Sequence, residues 1–557
     1  MSATFVTGEI AKGTDWRALE RAVARMMSHC GWRSVQIVGR CGDGGGDVVG
    51  VQSIKGRDVV FVVQVKATTG GNYVGPRAIQ EAVDALPIYS GTVAVAATNG
   101  DFSRSALVRQ KELVEKGFDI RLWNGKFIEQ LLSRAPDRHA GHRQLRDYQQ
   151  TTVDRCTVRF SQGGKRVMFI IATGLGKTVI AAELLARLFR DGLQSALVLC
   201  HSRDLAMQLE QAFWSQLSKD IPTRVFFDGE PPKSFGGINF GLYQSFTNYL
   251  SGVSPGDYEL VIVDEAHHAF ASGFLRCLNH LQPRLLVGMT ATPWRRDGLS
   301  IEDIFGPPVS TVSIADGMLM GHLAKVDYRI YSDSIDWTSL PKLTEGRLSI
   351  KDLNRRLFVP QRDEAVIDEI NKISGLVVNP KVIVFCPSIE HGRRFAELMN
   401  LSSQLKCRPL SGVEKNERYR NLMEFSSGHV RAVTAVDVLN EGIDVPDVNI
   451  IVFLRCTHSR RIFVQQLGRG LRISPDTGKN GVMVLDFVAD IRRLAEVLRF
   501  DDEVRAPRSE FHNLVLKEGV VHFTNESARP FVEQWLKDVA DVGETGDSEL
   551  IQFPMFE

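Results

Sequence analysis

The sequence predicts an α/β chain built from several sheet domains, and three stretches carry that prediction. Val167–Ile171 is an apolar run of strand length, followed by Ala172-Thr173-Gly174-Leu175-Gly176-Lys177-Thr178 and then by Val179–Phe189, whose Ala/Leu spacing reads as a helix. Glu259–Val263 is a second buried-strand run, ending on Asp264-Glu265. Val59–Lys66 is a third, rich in valine. At 557 residues the chain exceeds a single core, and three or four domains are expected.

A hydrophobic share of 43% and a charged share of 24% are those of an ordinary globular protein. No run approaches the roughly 20 apolar residues of a membrane span, and the N-terminus lacks a signal-peptide pattern. A cytoplasmic protein with no membrane partner is expected. The eight cysteines are scattered without a CxxC pair, which argues against a zinc module and against a disulfide framework. The net charge of +1 conceals an asymmetry: residues 501–557 hold 5 Lys/Arg against 13 Asp/Glu, while 134–166 hold 8 basic against 3 acidic side chains. A basic joint beside a nucleotide loop fits a polyanionic partner, although solvated linker charge would look the same.

Within residues 1–135, Thr14–Ser28 predicts an amphipathic helix with Trp16, Leu19, Val23 and Met26/Met27 on one side. A short strand near Val35–Val38 leads into Gly42-Asp43-Gly44-Gly45-Gly46-Asp47. On the strand Val59–Lys66, Gln64 and Lys66 project from one face. Set beside Asp47, they make a carboxylate, an amide oxygen or backbone carbonyl, and an ammonium. Mg²⁺ takes oxygen ligands and retains some waters, and the ammonium can orient or deprotonate an attacking water or stabilise phosphorane charge.

The order of a helix with Glu20, a loop with Asp47 and a strand with Gln64-x-Lys66 resembles the Mrr-like branch of the PD-(D/E)xK restriction-endonuclease fold, over roughly residues 10–133. That branch carries glutamine where most enzymes of the fold carry an acid. The resemblance implies an active-site set of Asp47, Gln64 and Lys66 with Glu20 as a helix-borne member, and Asp47 and Gln64 at the metal. Asp43 reads as a turn residue. The alternative is a folded but inert nuclease that grips DNA.

Residues 136–144 read as an exposed linker. In the loop after Val167–Ile171, the glycines let backbone N–H groups close around a polyphosphate at a helix N-terminus. Lys177 would reach the outer phosphates of ATP and Thr178 would ligate Mg²⁺, with Thr173, Gly174, Leu175 and Gly176 forming the cradle. Asp264, at the end of a strand, is placed to hold the metal and Glu265 to polarise the attacking water. Leu145-Arg146-Asp147-Tyr148-Gln149, Thr290-Ala291-Thr292-Pro293, Asn440-Glu441-Gly442-Ile443-Asp444 and Gln465-Gln466-Leu467-Gly468-Arg469-Gly470-Leu471-Arg472 follow in the order found in superfamily 2 helicases. Two arginines three apart share a helical face and can reach a γ-phosphate. By that resemblance Gln149 contacts adenine, Arg469 and Arg472 are arginine fingers, Gln465 is a nearby sensor, Gly442 and Asp444 couple the lobes, and His267 relays between sites.

The resemblance, to RadD-like, XPB-like and type III restriction-subunit-like motors, implies RecA-like lobes at 145–330 and 331–490, the second with a leading insertion. Residues 491–557 form a small C-terminal region. Its last residues, Gln552-Phe553-Pro554-Met555-Phe556, resemble a sliding-clamp-binding peptide on an acidic tether, and equally an apolar tail that docks on its own domain. The whole reading is an ATP-dependent DNA translocase or helicase coupled to an Mg²⁺-dependent endonuclease, acting on duplex or forked DNA in defence or repair. The rival is an ATP-gated DNA sensor with an inert nuclease domain. Oligomeric state is not legible.

Overall fold

The computed structural model describes residues 4–38, 45–69, 72–226, 234–291, 300–330, 348–349, 363–413, 415–436, 447–454, 473, 479, 481–487 and 550–551. They fall into two compact units, 1–169, 178–289 and 301–310 in one, and 170–177, 290–300 and 311–557 in the other.

The first sheet is mixed, with strands β1 (Arg33–Ile37), β2 (Val48–Ile54), β3 (Arg57–Lys66), β5 (Val93–Thr98) and β7 (Asp119–Trp123) in the order β1-β2-β3-β5-β7. Lys55 and Gly56 connect β2 to β3 with φ of +51° and +76°, the two left-handed residues a tight hairpin needs. β3 then runs parallel to β5, and β5 to β7. Two short strands, β4 (Tyr73–Val74) and β6 (Asp101–Phe102), pair apart from this sheet.

Side-chain alternation gives β3 two faces. Phe61, Val63 and Val65 point into one core with Leu19, Val23, Met26 and Met27 of α2 (Trp16–His29), which follows the short α1 (Gly8–Lys12). The Asp15 side chain accepts from the Ala18 amide at 3.1 Å and caps α2. Val62 enters the opposite core with Ala78, Ile79, Ala82 and Val83 of α3 (Arg77–Asp84) and Ala106 and Leu113 of α4 (Arg104–Glu115). Helix α5 (Gly125–Arg134) closes the domain, adding Ile128 and Leu132 to the α2 core.

The second sheet has seven strands: β8 (Arg166–Ile171), β9 (Ser195–Cys200), β10 (Thr223–Phe226), β11 (Gly237–Leu242), β12 (Leu260–Asp264), β13 (Leu285–Thr290) and β14 (Pro308–Val312). Their order is β10-β11-β9-β12-β13-β8-β14. The β10–β11, β11–β9, β9–β12 and β12–β13 ladders are parallel. Helices α6 (Asp147–Ser161), α7 (Lys177–Arg190) and α8 (Arg203–Trp214) accompany it.

Trp214, the last residue of α8, is 3% exposed and belongs to the α2 core of the first sheet. Around it Arg25 is 2% exposed; its Nη1 donates to Ile221 O at 2.9 Å and its Nη2 to Ser218 O at 3.1 Å. Arg21 lies 3.3 Å from Glu210. The Phe5 amide donates to Lys219 O at 2.7 Å, and Lys219 Nζ donates to Ala135 O at 2.7 Å.

Residues 136–144 are mostly exposed, as the sequence predicts, but His139 is 6% exposed. Its Nδ1 accepts from the Gly141 amide at 2.9 Å, which leaves Nε2–H to donate to Ser28 Oγ at 3.1 Å. His29 Nε2–H donates to Pro136 O at 2.7 Å. Two histidines therefore pin this segment to the end of α2.

The third sheet holds β15 (Lys325–Ile330), β17 (Val382–Phe385), β18 (Cys407–Pro409), β19 (Ala432–Ala435), β20 (Ile450–Phe453) and β21 (Gly481–Asp486), in the order β15-β21-β20-β17-β19-β18. Helices Asp363–Ser374 and Ile389–Ser402 cover one face through Ile367, Ile370, Phe395 and Met399. The boundary expected at residue 330 differs here, because β15 pairs in parallel with β21 of this sheet. Residues 295–365 carried too little periodicity to place that strand. Two further short strands, β16 (Leu348–Ser349) and β22 (Leu550–Ile551), pair antiparallel. Gln552–Phe556 lie outside the described residues.

Candidate active sites for nuclease and nucleotide chemistry

Three elements of the N-terminal domain meet at one point. Asp47, just before β2, uses Oδ2 to accept from Gln64 Nε2 and from the Val65 amide, each at 2.6 Å. Gln64 Oε1 in turn accepts from the Gly46 amide at 2.8 Å. In this arrangement Gln64 fixes the Asp47 carboxylate, and ligating a metal through its amide oxygen would require releasing Gly46. Gly45 and Gly46, with φ of +95° and +91°, give the loop the left-handed turns it needs to reach the end of the strand.

Glu20, on α2, is 3% exposed. Burial first, and then the charge and hydrogen bond of Asp47 beside it, push its carboxyl up to about 9. Its Oε1 is buried with no hydrogen-bond partner. A buried carboxyl with an unused oxygen, set against the half-buried Asp47 carboxylate, suits a hard divalent cation. Among the described residues no three His, Cys, Asp or Glu side chains converge as a complete metal site. A cation there would draw its remaining ligands from carbonyls, water or phosphate.

Lys66 ends β3, and its Nζ lies 2.8 Å from Glu81 Oε2 on α3. Glu81 was not anticipated from the sequence. It stands 15 residues beyond Lys66 on a helix with no motif, and the i, i+4 pair Arg77/Glu81 reads as ordinary helix surface.

In the nucleotide loop, β8 ends at Ile171, Gly174 and Gly176 have φ of +88° and +81°, and α7 begins at Lys177 with Thr178 next. Left-handed glycines alternating with ordinary residues turn successive N–H groups toward one centre, the geometry that receives an anion. Asp264 is the last residue of β12 and 2% exposed. Glu265 follows in the left-handed region, φ +48° and ψ +56°, with Oε2 3.4 Å from His267 Nδ1. A non-glycine residue held there is strained, and such strain collects at functional sites. The His268 ring sits 4.3 Å from that of His267 and 5.3 Å from that of His201, at the end of β9. His201 was also missed; its position just past a strand's C-terminal end was the available signal.

Gln149 is 5% exposed, and its Oε1 accepts from the Arg146 amide at 3.0 Å, closing the N-terminus of α6. Thr290 ends β13. Asp43, Thr292, Pro293, Gly442, Asp444, Gln465, Arg469 and Arg472 lie outside the described residues.

Comparison with known proteins agrees with these three sheets. Residues 11–132 match the restriction endonuclease family Mrr_cat, residues 142–295 the type III restriction enzyme res subunit family, and residues 364–474 the helicase conserved C-terminal domain. The type I restriction enzyme EcoAI endonuclease subunit of Escherichia coli is 24% identical over 82% of this chain, and the chain spans 64% of that subunit. The DNA 3'-5' translocase XPB2 of Sulfurisphaera tokodaii is 25% identical over 59% of this chain and 79% of its own length. The fold is similar to that of the ATP-dependent type ISP restriction-modification enzyme LlaBIII bound to DNA, with a TM-score of 0.53 at 16% identity, over 95% of this chain and 42% of that one. The chain thus matches a restriction-endonuclease model over its N-terminal sheet and helicase-type models over the two sheets that follow, which are RecA-like lobes.

Proposed function

We propose that this chain is an ATP-hydrolysing DNA translocase or helicase whose N-terminal domain cuts phosphodiesters of the DNA that the motor tracks. The observation that supports the reading is the meeting of Glu20, Asp47 and Gln64, with Lys66 two residues further along β3, ahead of a helicase-type nucleotide loop. At the nuclease site Gln64 and the Val65 amide aim Asp47, Glu20 adds a second carboxylate, and Lys66 presents a cation to developing phosphoryl charge. Glu20 and Asp47 would hold Mg²⁺, which supplies Lewis-acid polarisation and an activated water. At the motor, Lys177 would meet the outer phosphates of ATP, Thr178 and Asp264 would hold Mg²⁺, and Glu265 would polarise water. Arg469 and Arg472 act as fingers, and Gly442 and Asp444 couple the lobes.

The deciding experiment is cleavage of duplex, forked and modified DNA with Mg²⁺, with and without ATP. Asp47→Ala or Lys66→Ala is expected to abolish cleavage while DNA-stimulated ATP turnover persists. Failure of the wild type to cut any DNA form with Mg²⁺ or Mn²⁺ would favour the sensor reading.

The division into 1–135, 136–144, 145–330, 331–490 and 491–557, with the boundary at 330 moved ahead of β15, a cytoplasmic location and a role in defence against foreign DNA belong to the same proposal. No helix among the described residues is long and apolar enough to cross a membrane. Sliding-clamp capture by Gln552–Phe556 competes with docking of the tail on its own chain, and the β16–β22 pairing just before that peptide supports docking. Deleting residues 552–557 and measuring both clamp association and melting temperature separates the two.

A further inference from the structure

We infer that Glu81 is a positioning residue of the nuclease site, holding the Lys66 ammonium in place for the reaction. The inference rests on the nuclease reading above and deepens it. Glu81 reaches the site by three routes. Its Oε2 lies 2.8 Å from Lys66 Nζ. Its backbone carbonyl packs on the glycine loop so closely that a Cβ built on Gly45 would sit 2.5 Å from it. Its helix is fastened to the sheet through Ala78, Ile79, Ala82 and Val83, which share a core with Val62 of β3.

The carboxylate is mostly buried, with 23% side-chain exposure, and its second oxygen accepts from Arg77 Nε at 2.8 Å. Burial opposes its ionisation, but Lys66 and then Arg77 outweigh that and hold it below the usual carboxylate range. Glu81 is therefore a fixed negative charge on a rigid helix, set against a residue whose four-carbon stem is otherwise free. A lysine side chain carries about 2 kcal/mol of rotamer entropy. Tying it down before substrate arrives removes that cost from the chemical step. Arg77, with 90% of its side chain exposed, serves the same carboxylate from solvent and has no such task.

The test is single-turnover cleavage by the full chain with Mg²⁺ and ATP. Glu81→Gln is expected to lower the cleavage rate by about 10–100-fold, the range found when the partner of a site ligand is removed, with the KM for DNA within about twofold. Glu81→Asp keeps the charge and is expected to recover part of the loss, and Arg77→Ala to stay within about threefold of wild type. In a Lys66→Ala background, where cleavage with Mg²⁺ is abolished and the residual rate with Mn²⁺ is followed, adding Glu81→Gln is expected to cost nothing further, because the two act as one unit. DNA-stimulated ATP turnover and melting temperature should be unchanged throughout. Wild-type cleavage by Glu81→Gln, or an equal loss with and without Lys66, overturns the inference while leaving the nuclease reading intact. A wild type that cuts nothing overturns both. Should Glu81→Gln lower the melting temperature, Glu81→Asp decides: a rate no higher than that of Glu81→Gln overturns the inference.

Discussion

Arg25 Nη1, on a helix of the nuclease domain, donates at 2.9 Å to the carbonyl of Ile221 in the first helicase lobe, from a side chain 2% exposed. The guanidinium also lies over the Phe5 ring at 4.2 Å. Beside it, Glu210 is 1% exposed and shared between Arg21 and Thr223, whose Oγ1 donates at 2.7 Å. Removing one partner of such a buried set leaves carbonyls and a carboxylate without donors. Arg25→Ala is expected to cost about 3–5 kcal/mol in urea unfolding, and Arg25→Met, which fills the space without charge, distinctly less. Equal losses would show that packing alone matters there.

Acid should loosen the joint after α5. Burial, followed by the positive charge of His29, Arg25, His142 and Arg143, pushes His139 down to about 4, and His29 is lowered as well. A histidine whose folded pKa is depressed stabilises the protein above its unfolded value near 6.5 and loses that contribution as pH falls toward 4. About 1–3 kcal/mol is expected to disappear over this window. His139→Asn should flatten the profile of melting temperature against pH; an unchanged profile would place the effect elsewhere.

Metal binding at the nuclease site should expel a proton. Glu20 is raised to about 9 by burial and by Asp47, so the metal-free domain keeps this carboxyl protonated at pH 8. A raised folded pKa gives stability that is complete below the unfolded value and is lost as pH rises through about 9. A cation needs the ionised form, so calorimetry in buffers of different ionisation enthalpy should report proton release close to one per nuclease site. Glu20→Gln is expected to bind metal more weakly and release almost none. The same release from both proteins would remove Glu20 from the site.

Lys177→Ala and Glu265→Gln are each expected to lower DNA-stimulated ATP turnover by at least about 100-fold. Glu265→Gln should still bind ATP, because Asp264 remains. The left-handed backbone at Glu265, φ +48°, adds a second outcome. Glu265→Gly should raise stability by up to about 1 kcal/mol while abolishing turnover. Turnover near wild type in any of these variants would contradict the motor assignment.

Local features were readable in the sequence to the extent that they are local. The helix expected at Thr14–Ser28 is Trp16–His29, the strand expected at Glu259–Val263 is Leu260–Asp264, and Asp47 and Gln64 meet across the first sheet. Glycine spacing and apolar runs encode such elements because their causes lie within a few residues. What escaped was pairing at a distance. Nothing near Arg25 in the sequence points to Ile221, whose carbonyl it meets. Glu81 reads as helix surface until the hairpin and crossover bring Lys66 beside it. Nothing near Trp214 in the sequence points to the core of the first sheet, where it packs. A single sequence carries no sign of contacts separated by up to some two hundred residues.

Trp214 is a side chain of the domain built on the second sheet, lodged in the hydrophobic core of the first. Beside the segment 136–144 that joins them, the two domains therefore share a wall. If both domains act as proposed, the reach from the bond cut to the lobe that carries Asp264 and Glu265 would be set by that shared core, like the offset of a ruler's zero mark. Cuts would fall at a set distance from wherever movement stopped, in a narrow band and not a smear. Sequencing the ends of the fragments would amount to reading a logbook of halts, base by base.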